Sequence, residues 1–329
     1  MIKAELARAL DPKALRDRSE EHREQAEALL RFAEPKHLTH PMVRRIERNG
    51  LSLNSGLSFR ATMLEQSEAR RLGVFRPAWK LDNKRAAYEF IDALGVRRPK
   101  SDGKIRRLNA IDPDSPVVIK PVRATGSRGV YISYSSDRVT HLRDHRELGS
   151  WEKMLAHAGR LMSKERANPV PDKWLVEELI LEDAAEHRPA TDLKFYAFYG
   201  EVILVRESRR VDSGQHVTFW TPDGTIASTG HDRDPVLEQA EGPTSEQLEL
   251  VSRISAAIPV PFMRIDMLRG EHELVFGEFT PRPGHFDEFN AEWDRRFGEA
   301  WASAEARIIS DVLAGENFAA FAEVIGHGK

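Results

Sequence analysis

The chain has 329 residues, 40% hydrophobic and 31% charged, enough to bury a sizeable core in two or three lobes. A formal net charge of −3 argues against a dedicated nucleic-acid binder, and the absence of cysteine excludes disulfides, thiolate metal sites and cysteine nucleophiles. No apolar run approaches bilayer length and the first residues lack a signal-peptide core, so a cytoplasmic protein with no transmembrane segment is expected.

Residues 1–78 read as helical. Asp11 and Pro12 form a cap and first-turn pair, a second helix follows Pro41 and stops at Gly50, and a third runs from about Ser58 to Leu72 with Gly73 behind it. These suit a docking subdomain with solvated charge. Next, LDNKRAAYEFIDALGV reads as a helix capped by Asp82 and closed by Gly95, with Ala86, Phe90, Ile91 and Leu94 as its apolar stripe. Lys84 and Arg85 stand in its first turn, where the helix dipole disfavours cations. A nearby anion would explain them, and solvent would tolerate them.

PVVIKPVRATGSRGVYISY reads as strand, loop, strand, and Lys120 stands at the end of an apolar strand, where it needs an anion or an escape to water. The TGSRG loop carries backbone N–H groups and flexibility enough to fold over phosphates, but Gly and Ser also make plain turns. A helix from about Ser150 to Lys164 follows. KWLVEELIL is then a short strand holding Glu177 and Glu178, either a backbone edge for a purine or an ordinary charged edge strand.

TDLKFYAFYGEVILVRES reads as a hairpin turning at Gly200 and Glu201. Asp192 and Lys194 share a face with Tyr196 and Phe198, and Arg206 ends the second strand. Residues 211–246 read as an irregular excursion containing His216 and His231, too isolated to serve as metal ligands. A helix from Ser245 to about Ala257 leads into PFMRIDMLRGEHELVFGEFTPRPGHF, a hairpin that breaks into a Pro and Gly turn carrying Arg282. Period-two alternation puts Ile265, Met267, Val275 and Phe279 on its apolar side and Arg264, Asp266, Glu278 and Thr280 on the other. Asp266 and Glu278 share a face on condition that the connection around Gly270 has an odd number of residues, three or five. Two converging carboxylates call for a hard dication such as Mg2+, whereas a solvated face would leave them as ordinary surface charge. The chain closes with an amphipathic helix from about Gly298 to Leu313, near whose start Trp293, Phe297 and Trp301 are core candidates.

These landmarks in this order, DNK, VVIKP with its Gly and Ser loop, WLVEELI, DLKFYAFYGE, RIDML, FGEFTPRPG and EWDRRFG, resemble the ATP-grasp superfamily, most closely its TupA-like branch, over about Leu81 to Trp301. The resemblance implies an α+β or α/β ATP-grasp fold with a helical N-terminal extension. Residues 79–110 would complete an N-terminal α/β domain, 111–185 would form a central lid, and 186–329 a C-terminal subdomain with the metal site. It implies ATP and Mg2+ as cofactors, with Lys84 and Lys120 on the nucleotide phosphates and Thr125, Gly126, Ser127 and Gly129 in the lid loop. Glu177, Leu179 and Ile180 would sit at the adenine hinge, and Asp192 and Lys194 at a ribose, phosphate or substrate site. Asp266, Glu278 and Thr280 would hold the metal, although many ATP-grasp enzymes carry Asn in place of Thr280. Arg264, Arg282 and Lys194 would stabilise the transferring phosphoryl group. The implied reaction joins a carboxylate to an amine, so small-molecule acids and amines are the expected partners and nucleic acid is not. A kinase, a non-catalytic nucleotide-binding scaffold and a homodimer stay open.

Overall fold

The computed structural model describes residues 2–11, 15, 20–53, 56–112, 116–122, 127–144, 146–163, 168–211, 214–230, 236–237 and 240–326. The chain opens with helices α1 (Ile2–Ala9), α2 (Glu20–Leu30) and α3 (His40–Arg48). Leu6, Leu10, Ala26, Leu30, Met42 and Ile46 give them a core of their own. Helix α4 (Phe59–Arg71) is capped by the Ser58 side chain and belongs elsewhere, because Phe59 and Met63 pack with aromatic residues of the C-terminal half. Helix α5 (Lys84–Ala93) is capped by Asn83 and not by Asp82. Residues Pro77–Asp82 are already wound into a 3-10 turn, so the cap falls one residue later. Its buried stripe accordingly uses Ala87 with Phe90 and Ile91, and Ala86 is only half-buried.

Strands β1 (Val117–Pro121), β2 (Tyr131–Ser135), β3 (Arg138–His141), β4 (Arg146–Glu147) and, beyond helix α6 (Trp151–Met162), β5 (Trp174–Glu178) form an antiparallel sheet ordered β4-β3-β2-β1-β5. Ile119, Tyr131, Val139 and Trp174 on that sheet pack against Trp151, Met154 and Ala158 of α6. A short pair, β6 (Leu181–Asp183) and β7 (Arg188–Pro189), leads away from β5.

The second sheet is ordered β10-β9-β8-β11-β12, with β8 (Thr191–Phe198), β9 (Glu201–Val211), β10 (Gly214–Trp220), β11 (Met263–Arg269) and β12 (Leu274–Thr280), all antiparallel. Three boundaries differ from the sequence expectation. The β8–β9 turn is Tyr199-Gly200, both with positive φ, and Phe198 pairs with Glu201, so the turn sits one residue earlier. Strand β9 continues past Arg206 to Val211, and the expected excursion contributes β10 at the sheet edge, since Arg206 pairs with Phe219 and the ladder runs on. The final long helix, α8 (Ala291–Leu313), starts seven residues before Gly298 because Asn290 caps it by accepting from the Trp293 N–H. Trp293 and Phe297 are core and Trp301 packs beside them, as expected from their spacing.

One face of this sheet meets α5, helix α7 (Ser245–Ala256) and helix α9 (Ala319–Gly326) through Leu193, Phe195, Ile265, Met267, Phe276 and Phe279. The other face meets α4 and α8 through Tyr196, Phe198, Leu204 and Phe262. Each fully buried aromatic side chain there contributes about 1.5–3 kcal/mol of apolar transfer. Tyr196 stacks on Phe297 at 5.4 Å, and two residues earlier on β8, beyond this aromatic cover, the same face carries Lys194. The tip of the β11–β12 hairpin is tied to the segment after β5, because the Glu271 N–H donates to the Leu181 carbonyl at 3.0 Å. No helix among the described residues is long and apolar enough to cross a membrane.

Candidate active site

The polar face is built by strand register. Arg206 on β9 pairs with Lys194 on β8, Lys194 with Asp266 on β11, and Asp266 with Glu278 on β12, so four charged residues lie in one row across four strands. The next row carries Tyr196, Arg264 and Thr280. Asp266 and Glu278 share a face, but not through an odd connection: Arg269 pairs with Leu274 across four residues. The phase is restored by a bulge between Met267↔Phe276 and Asp266↔Glu278, where Gly277 is the unpaired residue. A Cβ on Gly277 would meet the Asp266 carbonyl oxygen at 3.0 Å, so the bulge favours glycine. The same phase change corrects Val275, which pairs with Leu268 on the Asp266 side, leaving the core positions to Leu274 and Phe276.

Asp266 is buried and accepts from Arg264 at 2.7 and 2.8 Å and from Lys194 at 2.7 Å. Burial alone would raise its carboxyl; the Arg264 guanidinium and Lys194 ammonium prevail and bring it down to about 2. Lys194 also meets Asp192 at 2.8 Å, and despite burial its ammonium is held above its ordinary value by Asp192 and Asp266. Thr280 Oγ1 accepts from Arg264 at 3.1 Å. Glu278 differs from Asp266. Its side chain is 53% exposed, with Arg264 the nearest cation at 3.9 Å. The enclosing protein and then the Asp266 charge push its carboxyl above the usual carboxylate range.

A second cluster faces this row. Lys120 Nζ contacts the buried Glu177 carboxylate, and Glu177 also accepts from the Tyr88 hydroxyl at 2.9 Å. Burial would lower the Lys120 ammonium, but Glu177 and Tyr88 hold it above its ordinary value. The Tyr88 phenol is pushed up to about 12, mainly by burial. Lys84, one helical turn before Tyr88, lies between the clusters and senses Lys120, Glu177 and Glu278. Burial and the like charge of Lys120 bring Lys84 down to about 8. An anion that needs the Lys84 cation should therefore bind more weakly as pH rises through about 8. We expect calorimetric affinity for Mg-ADP to fall across that interval in the native chain and to stay flat in Lys84→Arg, whose guanidinium remains charged. An equal slope in both would remove Lys84 as the titrating group.

The remaining expected residues are placed as follows. Thr125 and Gly126 lie outside the described residues. Ser127 and Gly129 both have left-handed backbone, and the Gly129 N–H is directed inward to a histidine ring. Glu177 faces Lys120, whereas Glu178 points the other way to Arg97 and the Lys100 N–H. Leu179 is half-exposed and Ile180 buried, and the Ile180 carbonyl accepts from the Ala190 N–H at 3.0 Å. Arg282 lies over the Trp79 ring at 5.4 Å. Tyr88 was missed by sequence reading, although its spacing of four from Lys84 puts both on one helix face.

Asp266, Glu278 and Thr280 are hard oxygen donors on adjacent strands, and the half-exposed Glu278 carboxylate has no cation closer than Arg264 at 3.9 Å. That donor set fits Mg2+, which commonly takes one or two carboxylates and completes its shell with phosphate oxygens and water. Among the described residues no group of three or more His, Asp or Glu is arranged to hold a metal by itself.

Solved structures resemble the chain remotely. D-alanine--D-alanine ligase from Bacillus anthracis complexed with ATP is 14% identical, covers 75% of this chain and 75% of its own, and has a TM-score of 0.43. The ATP-grasp ligase PsnB complexed with minimal precursor, Mg and ADP is 12% identical, covers 89% and 73%, and has a TM-score of 0.40. Among curated proteins no sequence matches it. A family profile described as TupA-like ATPgrasp matches residues 65–302, a span that holds both five-stranded sheets and every charged side chain of the cleft. The chain belongs to the TupA-like ATP-grasp family.

Proposed function

We propose that the protein is an ATP-dependent ligase that joins a carboxylate to an amine through an acyl phosphate. The observation that carries this reading is the convergence of Lys84, Lys120, Lys194 and Arg264 on a cleft holding the Asp266–Glu278 pair. A carboxylate is a poor electrophile until phosphorylation gives it a good leaving group. Cations around the transferring group then offset its charge, and no nucleophilic side chain is needed. In this reading Lys84 and Lys120 hold nucleotide phosphates, and Arg264, Lys194 and Arg282 serve the transferring phosphoryl group. Mg2+ on Asp266, Glu278 and Thr280 would supply charge neutralisation at the phosphates. The sheet of β1–β5 would act as a lid that excludes water from the intermediate. We assign the substrates to the class of an amino acid joined to a uronate, a peptide or another cell-envelope precursor.

Hydroxylamine trapping across a panel of such acids with Mg-ATP tests this. Hydroxamate that depends on the acid supports the ligase. A stable phosphorylated product without an amine would identify a phosphotransferase, and nucleotide binding with no ADP release would identify a scaffold.

A further inference from the structure

The Tyr88 hydroxyl joins two lobes. It projects from α5, which packs on the second sheet, and donates at 2.9 Å to Oε1 of Glu177 on β5 of the first. Oε2 of the same carboxylate contacts Lys120 Nζ on β1, and Nζ lies 3.5 Å from Tyr88 Oη. With the Glu177 side chain only 5% exposed, these two donors fix its orientation. An ammonium carries three N–H groups. Glu177 and the Tyr88 oxygen take two of them, which leaves one for an anion. The ring that carries the hydroxyl is itself clamped. Its edge meets Phe276 of β12 with centroids 6.3 Å apart and planes at 79°, and the Arg98 guanidinium lies over it at 4.6 Å. Asp92 holds Arg98 through two hydrogen bonds of 2.8 Å. Tyr88 therefore takes its position from α5 and β12, while Lys120 takes its own from Tyr88 and Glu177. Lys84 stands one turn before Tyr88 on the same helix face, so a single side chain refers the cation of β1 to the cation of α5.

We propose that Tyr88 is a positioning residue for nucleotide phosphates: it orients Glu177, which in turn holds the Lys120 ammonium in place relative to Lys84. The inference rests on the reading that these two lysines hold the phosphates of ATP. A cation already in place binds an anion with less ordering cost than one that must first be selected from many rotamers. The hydroxyl acts through Glu177 and Lys120 and touches no reacting atom.

Calorimetric affinities for AMP-PNP with Mg2+ and for adenosine, which lacks phosphates, separate positioning from packing. Tyr88→Phe keeps the ring against Phe276 and Arg98 and removes the hydroxyl; it should bind AMP-PNP about tenfold more weakly and adenosine unchanged. If that variant does not fold, Arg98→Met gives the same test. It keeps an apolar stem on the ring, removes the guanidinium that clamps it, and should weaken AMP-PNP alone by about threefold. Native protein that binds AMP-PNP while the folded variant binds it equally well overturns the proposal alone. Equal loss for both compounds also overturns it, reducing Tyr88 to packing. Native protein that does not bind AMP-PNP overturns the nucleotide reading and the proposal with it.

Discussion

Asp266→Ala should lower acid-dependent ADP release by roughly 10²–10³ and also destabilise the fold by about 3–5 kcal/mol. The two losses have separate causes. In the folded chain Asp266 bridges Arg264 and Lys194, both largely buried, and its removal leaves Arg264 without its close carboxylate and Lys194 with Asp192 alone. Its folded value near 2 against an ordinary 3.8 means that this stabilisation is complete above about pH 4 and is lost as pH falls toward 2. Glu278→Gln should behave differently. Its side chain is half-exposed, and its surroundings and the Asp266 charge disfavour its ionised form, so an amide of the same shape should not lower the urea midpoint while ADP release still falls. Near-native ADP release in either variant would overturn the metal assignment.

Lys120→Met should abolish detectable Mg-ADP binding and cost about 3–5 kcal/mol, since the Glu177 carboxylate, 5% exposed, loses its cation. The Tyr88 hydroxyl stays within reach of Glu177 but cannot neutralise a buried charge. Lys120→Met with Glu177→Leu removes both charges from the same site. That double variant should recover most of the stability and none of the nucleotide binding. Recovery of binding would show that Lys120 serves only to satisfy Glu177. Denaturant unfolding and calorimetry on the four proteins of the cycle give both answers.

Much of this site was legible in the sequence because its residues sit on strands with clean alternation. Lys194, Asp266 and Arg264 fall on one face by counting in twos, and the structure places them there. Counting failed where the ladder breaks. The Gly277 bulge has no signature in a period of two, so Asp266 and Glu278 came to share a face by a route the loop length did not suggest, and Val275 changed sides. Asp82 and Asn83 are equally good caps by chemistry, and a tertiary preference for a 3-10 turn decided between them. The glutamates of β5 look alike in sequence; only the pairing of β5 with β1 turns Glu177 toward Lys120 and Glu178 toward Arg97. Strand β10 was hidden because its Gly, Thr and Asp neighbours read as loop, while its pairing partner β9 is the element that makes it a strand.

The bond from Glu271 to Leu181 gives the β11–β12 hairpin a second use. The four steps of strand from Asp266 to Gly270 span about 13 Å. At one end stands the acidic pair, and at the other the hairpin grips the chain just after Leu179 and Ile180. The hairpin thus spans two stations of the cleft, and in the proposed reading a β1–β5 lid would pivot on the near side of Leu181. An insertion in the turn from Gly270 to Glu273, beside the Arg97–Glu273 ion pair, would leave Asp266 and Glu278 opposed yet shift that pivot, acting on the cleft from outside the charged row.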